Sequence, residues 1–264
     1  MLRILLMAAV LARVDGAPPA ELQPAAEPAG EAEEQAGPSD PNYSRLMFAP
    51  TGRPLRQGDG YFSDHELVFP GFSYGVTDNV SVSGGVSTIP GLGLSEQLVY
   101  FSPKVGFELS DRAAVSVGAF AAGVGGADDD LGTLGIVFAV GTFGTRDHSL
   151  TAGLGLAREL GDRFADAEPI LMIGGQTRLS RSIALVSENW LVLDGEVPLS
   201  EQPFGLALRF FNGRLSADVG VVLVGELLDE GYPLPWVSFT YHFGPGATSA
   251  SVRPTGRAGR SPRP

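Results

Sequence analysis

Short turn signals punctuate the middle of this chain at a nearly constant interval: Thr77-Asp78-Asn79, Ser110-Asp111-Arg112, Arg146-Asp147-His148, Ser180-Arg181-Ser182 and Asn212-Gly213-Arg214. Their centres, at residues 78, 111, 147, 181 and 213, lie 32 to 36 residues apart, which is room for two strands and a loop. Asp, Asn, Gly and Ser suit such turns because they accept unusual backbone angles or hydrogen-bond locally. Between them come looser acidic or Gly/Pro-rich stretches near 90–96, 126–131, 158–168, 194–202 and 225–233. A chain punctuated in this way runs up and down through a sheet, with tight turns at one end and longer loops at the other.

The segments between the signals alternate with period two, as half-buried strands do. In Tyr100–Leu109, Phe101, Val105, Phe107 and Leu109 share one phase, and Ser102, Lys104, Gly106 and Glu108 share the other. Phe204, Leu206, Leu208 and Phe210 oppose Gly205, Ala207, Arg209 and Phe211, and Leu215, Ala217, Val219, Val221 and Leu223 oppose Ser216, Asp218, Gly220 and Val222. Toward the end, Val237, Phe239, Tyr241 and Phe243 oppose Ser238, Thr240 and His242. One face is apolar and aromatic; the other is small, polar or charged.

Composition removes other classes. With 36 Gly in 264 residues, the chain holds about twice the usual share, a backbone-entropy cost that a mostly helical protein does not bear. No apolar run approaches the roughly 20 residues of a membrane helix. With no Cys there is no disulfide framework, thiolate metal site or cysteine nucleophile. A net charge of -12 argues against nucleic acid, whose phosphates require clustered cations.

The ends read differently. Residues 1–16 carry Arg3 and then the apolar run Ile4–Ala12, the pattern of a cleaved export signal, with Val14 and Gly16 before the cut. Residues 17–41 are an acidic Pro/Ala/Glu spacer and residues 244–264 an Arg/Pro/Gly tail, both expected to be disordered because they have little apolar surface to bury. The folded unit is expected over 42–243.

Soluble and membrane barrels share this alternation, and the pairing of short turns with longer loops favours the membrane form. Lys104, Glu108, Arg178, Glu188, Arg209 and Asp218 are embedded in strands on the small-residue phase and balance in sign, so they are expected to line the lumen as an ion-pair network. Counting from the turns gives eleven strands, with residues 61–76 as a single strand. Bacterial barrels have even numbers, so a twelfth is assigned to Tyr43–Ala49. The predicted fold is an all-β, up-and-down antiparallel transmembrane barrel of about twelve strands. Pro70 and Pro103 fall inside strands, where bulges are expected to accommodate them.

The final strand, Trp236–Phe243, resembles the C-terminal assembly signal of bacterial outer-membrane β-barrels, with Phe239, Tyr241 and Phe243 as its aromatic positions. Ser238 stands where that signal usually has Gly, and a tail follows Phe243. The resemblance implies insertion by the barrel-assembly machinery into the bacterial outer membrane, with lipid and lipopolysaccharide as neighbours. The run Tyr61–Gly85, together with Ala184–Val192, is similar to a group of small exported barrels without known activity.

Catalytic signals are sparse. Gly71-Phe72-Ser73-Tyr74-Gly75 matches G-x-S-x-G, but a turn and a strand follow it where the nucleophile elbow needs a helix. The histidines are His65, His148 and His242. Ser63 and His65 share a strand face and are the candidates for a lipid hydrolase on the barrel wall. Asp128, Asp129 and Asp130 are half of a calcium loop without the Gly and distant Glu that complete it. Other loop acids include Glu159, Asp162, Asp166, Glu196, Glu226, Asp229 and Glu230. Glu188 is expected to pair with Arg178 or Arg209, and no cofactor is indicated. The leading expectation is a small passive pore or transport barrel, with Gly106, Gly118, Gly135, Gly153, Gly205 and Gly220 leaving free space in the lumen. The alternatives are a membrane-embedded lipid hydrolase, and a structural or surface-interaction barrel whose acidic loops bind cations.

Overall fold

The computed structural model describes residues 40–124, 133–159, 167–193, 197–225 and 233–246. Twelve strands close into one antiparallel barrel: β1 (Gly60–His65), β2 (Phe69–Gly75), β3 (Val80–Val86), β4 (Leu98–Ser110), β5 (Ala113–Val124), β6 (Leu134–Gly144), β7 (His148–Glu159), β8 (Glu168–Arg178), β9 (Ile183–Val192), β10 (Phe204–Asn212), β11 (Leu215–Leu223) and β12 (Leu234–Phe243). Each strand pairs with its sequence neighbour, and β1 closes the ring on β12 from Gly60↔Phe243 to His65↔Ser238. The five turn signals form the tight turns at one end, where β1 starts and β12 stops.

The strand number agrees with expectation, but two of its parts do not. Residues 61–76 are two strands, β1 and β2, joined by a turn in which Glu66 and Leu67 take positive φ angles of 56° and 62°. Neither is a glycine, and so the turn was invisible to a search for Gly, Asn and Asp. Tyr43–Ala49 is not a wall strand. It lies inside the barrel, in a segment running from Asp40 to Asp59.

The two prolines are absorbed without bulges. At Pro103 the β4–β5 pairing lapses between Phe101↔Ala121 and Lys104↔Gly118, with the register unchanged on either side. Ser102 Oγ donates to Ala119 O at 2.9 Å across that gap. Pro70 pairs with Asp64, and β2 meets β3 only from Gly71 onward. The register of the β4–β5 pair shifts elsewhere, between Glu108 and Ser110.

The wall is inside out relative to a soluble barrel. Phe101, Leu109, Phe143, Leu150, Leu154, Leu215, Val219 and Phe239 are all more than half exposed on its outer surface. Ser81, Ser116, Thr142, Thr151, Gln176, Ser216, Thr240 and His242 are buried on its inner one. Apolar surface outside and polar surface inside is the distribution of a barrel that spans a bilayer. No helix among the described residues is long and apolar enough to cross a membrane.

Candidate functional site

The lumen is filled by the chain's own residues 40–59. The segment enters and leaves at the tight-turn end and reverses direction inside. Leu46 N donates to Ala49 O at 2.8 Å, Thr51 N donates to Ser44 O at 3.0 Å, and Arg45 bridges Pro50. Pro50 and Pro54 suit such a reversal, because their fixed φ and missing N–H would break a wall ladder. At the tip, Leu46, Met47 and Ala49 pack in a small apolar cluster with Val140, Met172, Val186 and Ala207. Phe48 projects beyond them, edge-on to Tyr100, Phe120 and His65 with ring centroids 5.6 to 5.9 Å away.

Polar groups hold the rest. Lys104 Nζ, buried, donates to Ser44 O at 3.1 Å, Thr51 O at 3.1 Å and Arg53 O at 2.9 Å. Glu188 Oε2 accepts from Phe48 N and Ala49 N, both at 2.8 Å, and its Oε1 accepts from Trp190 Nε1 at 2.9 Å. Arg209, with no exposed surface, forms a fork on Asp218 at 2.7 and 2.8 Å. It also reaches Asp40 at 3.2 Å and Leu46 O at 2.6 Å. Gly52 N donates to Thr142 Oγ1 at 2.9 Å, and Ser116 Oγ donates to Thr51 O at 3.1 Å. Near the mouth, Asn42 Nδ2 donates to Ser216 Oγ at 2.6 Å, Asn42 Oδ1 meets His242 Nε2 at 3.1 Å, and Arg45 Nη2 donates to Thr240 Oγ1 at 2.7 Å.

The six strand-borne charges therefore face inward, but they do not pair as one network across the lumen. Arg209 and Asp218 are partners on adjacent strands. Glu108 lies 3.9 Å from Arg53 and 3.6 Å from Arg56, both on the inserted segment. Arg178 pairs with Asp147 in the β6–β7 turn at 2.8 Å and covers the Phe211 ring. Glu188 binds backbone N–H groups in place of Arg178 or Arg209, and Lys104 binds backbone carbonyls. The inserted segment lies between the walls and takes up Lys104, Glu108, Glu188 and one side of Arg209.

The glycines read as lumen space have other surroundings. A Cβ on Gly106 would stand 3.3 Å from Pro54 Cβ, and one on Gly205 would stand 3.0 Å from Met47 Sδ, so these two admit the segment. At Gly118, Gly153 and Gly220 an added Cβ would meet the wall residues Phe138, Val140 and Ala207. Gly135 alternates with Val137 and Phe143 on the outward phase.

Ser63 and His65 both point into the lumen, not toward lipid, and no hydrogen bond joins them among the described residues. The His65 ring packs between Phe48 and Trp236, with centroids 5.7 and 5.4 Å away. Gly71–Gly75 lies in β2 and continues into a turn and β3. His148 Nδ1 meets Thr177 Oγ1 at 2.7 Å near the tight-turn end. Outward-facing Asn189 donates to Ile173 O at 2.9 Å and to Ser187 Oγ at 3.0 Å, satisfying itself on the apolar face. Phe239 and Tyr241 lie on the outer face, and Phe243 stacks on Phe72 with centroids 5.9 Å apart. In the β1–β2 turn, burial pushes the Glu66 carboxyl up while Val237 N donates to it at 2.8 Å.

Asp128, Asp129 and Asp130 lie outside the described residues, as do residues 1–39, 247–264, Asp162, Asp166, Glu196, Glu226, Asp229 and Glu230. Among the described residues, no group of three or more His, Asp or Glu is placed to hold a metal ion. Asp40, Asn42, Arg45 and Thr51 are the lumen-filling residues whose contacts strand counting missed. Their signal was the run of polar, charged and Pro residues from 40 to 56, unsuited to a lipid-facing strand.

The chain is a closed, twelve-stranded antiparallel barrel with a polar interior. Among solved structures, the chain is similar to "KdgM porin in complex with disordered oligogalacturonate", at TM-score 0.51 and 9% identity over 70% of this chain and 98% of that one. It is also similar to "KdgM porin", at TM-score 0.46 and 8% identity over 70% and 95%, and to a NanC porin, at TM-score 0.43 and 10% identity over 70% and 97%. At such identities the first likeness is one of fold. No family model matches the chain, and no curated protein matches it.

Proposed function

We propose that the chain is an outer-membrane transport barrel, closed in the state described by residues 40–59, and that solute passes when this segment leaves the lumen. The observation that carries the reading is the way the segment is held. It is held to the wall by hydrogen bonds, many of them to the charged groups of Lys104, Glu188 and Arg209, which water can replace at a net cost of about 1.5–3 kcal/mol each. Its apolar contacts are split between the tip and a second cluster of Tyr43 and Leu55 with Tyr61 near the mouth. The apolar outer wall, the pairing of tight turns with longer loops and the porin-like fold support a bilayer-spanning barrel. Ser63 and His65 face the inserted segment, which does not favour lipid hydrolysis.

The test uses the absence of native cysteines. The 3.3 Å between Pro54 Cβ and a Cβ built on Gly106 is close to the roughly 3.5–4.5 Å of a disulfide. A Pro54→Cys/Gly106→Cys chain in planar bilayers should be silent when oxidised and should show conductance steps when reduced. No conductance in either state, nor from the parent chain in any salt, would overturn the transport reading.

A further inference from the structure

We infer that the lumen wall is a binding site for peptide backbone, occupied in cis by residues 44–53 and able to take a short peptide in trans when that segment withdraws. The inference lies in what the wall touches. From Ser44 to Arg53, the charged and hydroxyl groups of the wall meet main-chain atoms. Lys104 holds three carbonyls, Arg209 and Ser116 one each, Glu188 two N–H groups and Thr142 one. Two arginines add side-chain contacts to the wall in this stretch: Arg45 donates to Thr240 Oγ1, and Arg53 donates to Gly144 O at 2.6 Å beside Glu108.

The wall pairs Arg209 with Asp218, but it leaves the charges of Lys104 and Glu188 for the segment to balance. Lys104 has no carboxylate within salt-bridge distance among the described residues, and the partners of Glu188 are Trp190 and the two N–H groups of the segment. A buried ammonium and a buried carboxylate are costly unless something binds them. Carbonyls at the first and N–H groups at the second are what any peptide offers. Beyond Arg45 and Arg53, side-chain demand comes at the tip, where the wall residues Val140, Met172, Val186 and Ala207 receive Leu46 and Met47. The ligand class is accordingly a short, turn-forming peptide with an apolar pair at its turn and an arginine on either side of it, bound for the rest through its main chain. This deepens the transport reading by naming a cargo class, and its test is independent of conductance.

The experiment uses the full-length chain in detergent and a fluorescent peptide with the sequence of residues 42–53. Leu46→Ala loosens the segment, and thiol labelling of an added Met47→Cys, buried in the parent, reports its departure from the lumen. Gly106→Val, pressing on Pro54 and Gly52 O, is a second route to the same state. The peptide should bind saturably to the loosened chain and much more weakly to the parent, whose site is filled. A peptide with every side chain outside the Leu-Met pair and the two arginines shuffled should bind nearly as well. N-methylation at the two amides equivalent to Phe48 and Ala49 removes two hydrogen bonds to a charged group and should weaken binding by roughly tenfold or more. Lys104→Met in the loosened chain should weaken it comparably. The inference fails if a chain whose thiol labelling shows the segment withdrawn gives no saturable binding, or if N-methylation has no effect while shuffling abolishes binding. Binding without conductance would leave this site standing and remove the transport reading alone.

Discussion

Arg209 shows how one side chain ties wall and segment together. It is enclosed completely, with Asp218 beside it on the neighbouring strand, Asp40 on the segment and Leu46 O above. Removing its guanidinium strands two buried carboxylates, so Arg209→Ala should cost about 3–5 kcal/mol of unfolding free energy, the range for breaking a buried pair. Arg178 is the control, since its Asp147 partner is 42% exposed, and Arg178→Ala should cost under about 1 kcal/mol from the ion pair. Urea titration in lipid vesicles, followed by tryptophan fluorescence, measures both. Equal losses would mean that Arg209 is wet and the lumen is not sealed around it.

At the level of the element, the β1–β2 turn and the segment make opposite uses of backbone. Leu67 is exposed and held at a φ of 62°, where a side chain with a Cβ costs about 1–2 kcal/mol. Leu67→Gly relieves that strain but loosens the unfolded chain, for a net gain of up to about 1 kcal/mol. Thermal or urea unfolding tests it, and a loss would show that the turn angles differ from those described. In the segment, Glu188 uses its carboxylate as a backbone acceptor. Glu188→Gln keeps the shape but lowers the acceptor strength, so conductance openings should become more frequent. Glu188→Ala should increase them further by leaving the Phe48 and Ala49 N–H groups without their acceptor. Single-channel recording distinguishes the two, and unchanged gating would place the hold on the segment elsewhere.

For the whole molecule, the inside-out wall predicts how it tolerates charge. Phe239 sits on the outer face, half exposed, and an Arg on the lipid face costs about 2–4 kcal/mol near the bilayer midplane, falling toward its edges. Phe239→Arg should therefore lower the yield of heat-modifiable, membrane-inserted barrel on a gel. Thr240→Arg, one residue along and facing inward, disturbs the segment and leaves the lipid contact intact. If both variants insert equally well, the outer face is not in lipid.

The sequence by itself determined the wall. Period-two alternation fixed which residues of β4, β9, β10, β11 and β12 face in, and five turns of Asp, Asn, Ser and Gly placed one end of the barrel, because both signals are local and repeat with the strand. The lumen was decided by tertiary structure. Tyr43–Ala49 alternates well enough to pass for a strand, and only the closed ring shows that β1 already pairs with β12, leaving no edge for it to join. The strand count of twelve was reached with Tyr43–Ala49 as the extra strand, whereas the ring obtains it from a turn at Glu66–Leu67 that carries no glycine. Lys104 and Glu188 were legible as inward charges, but their partners are main-chain atoms some fifty and one hundred and forty residues away. A carbonyl or N–H is common to nearly every residue and leaves no mark on composition, so the contacts that close this barrel become visible only when the segment is seen inside it.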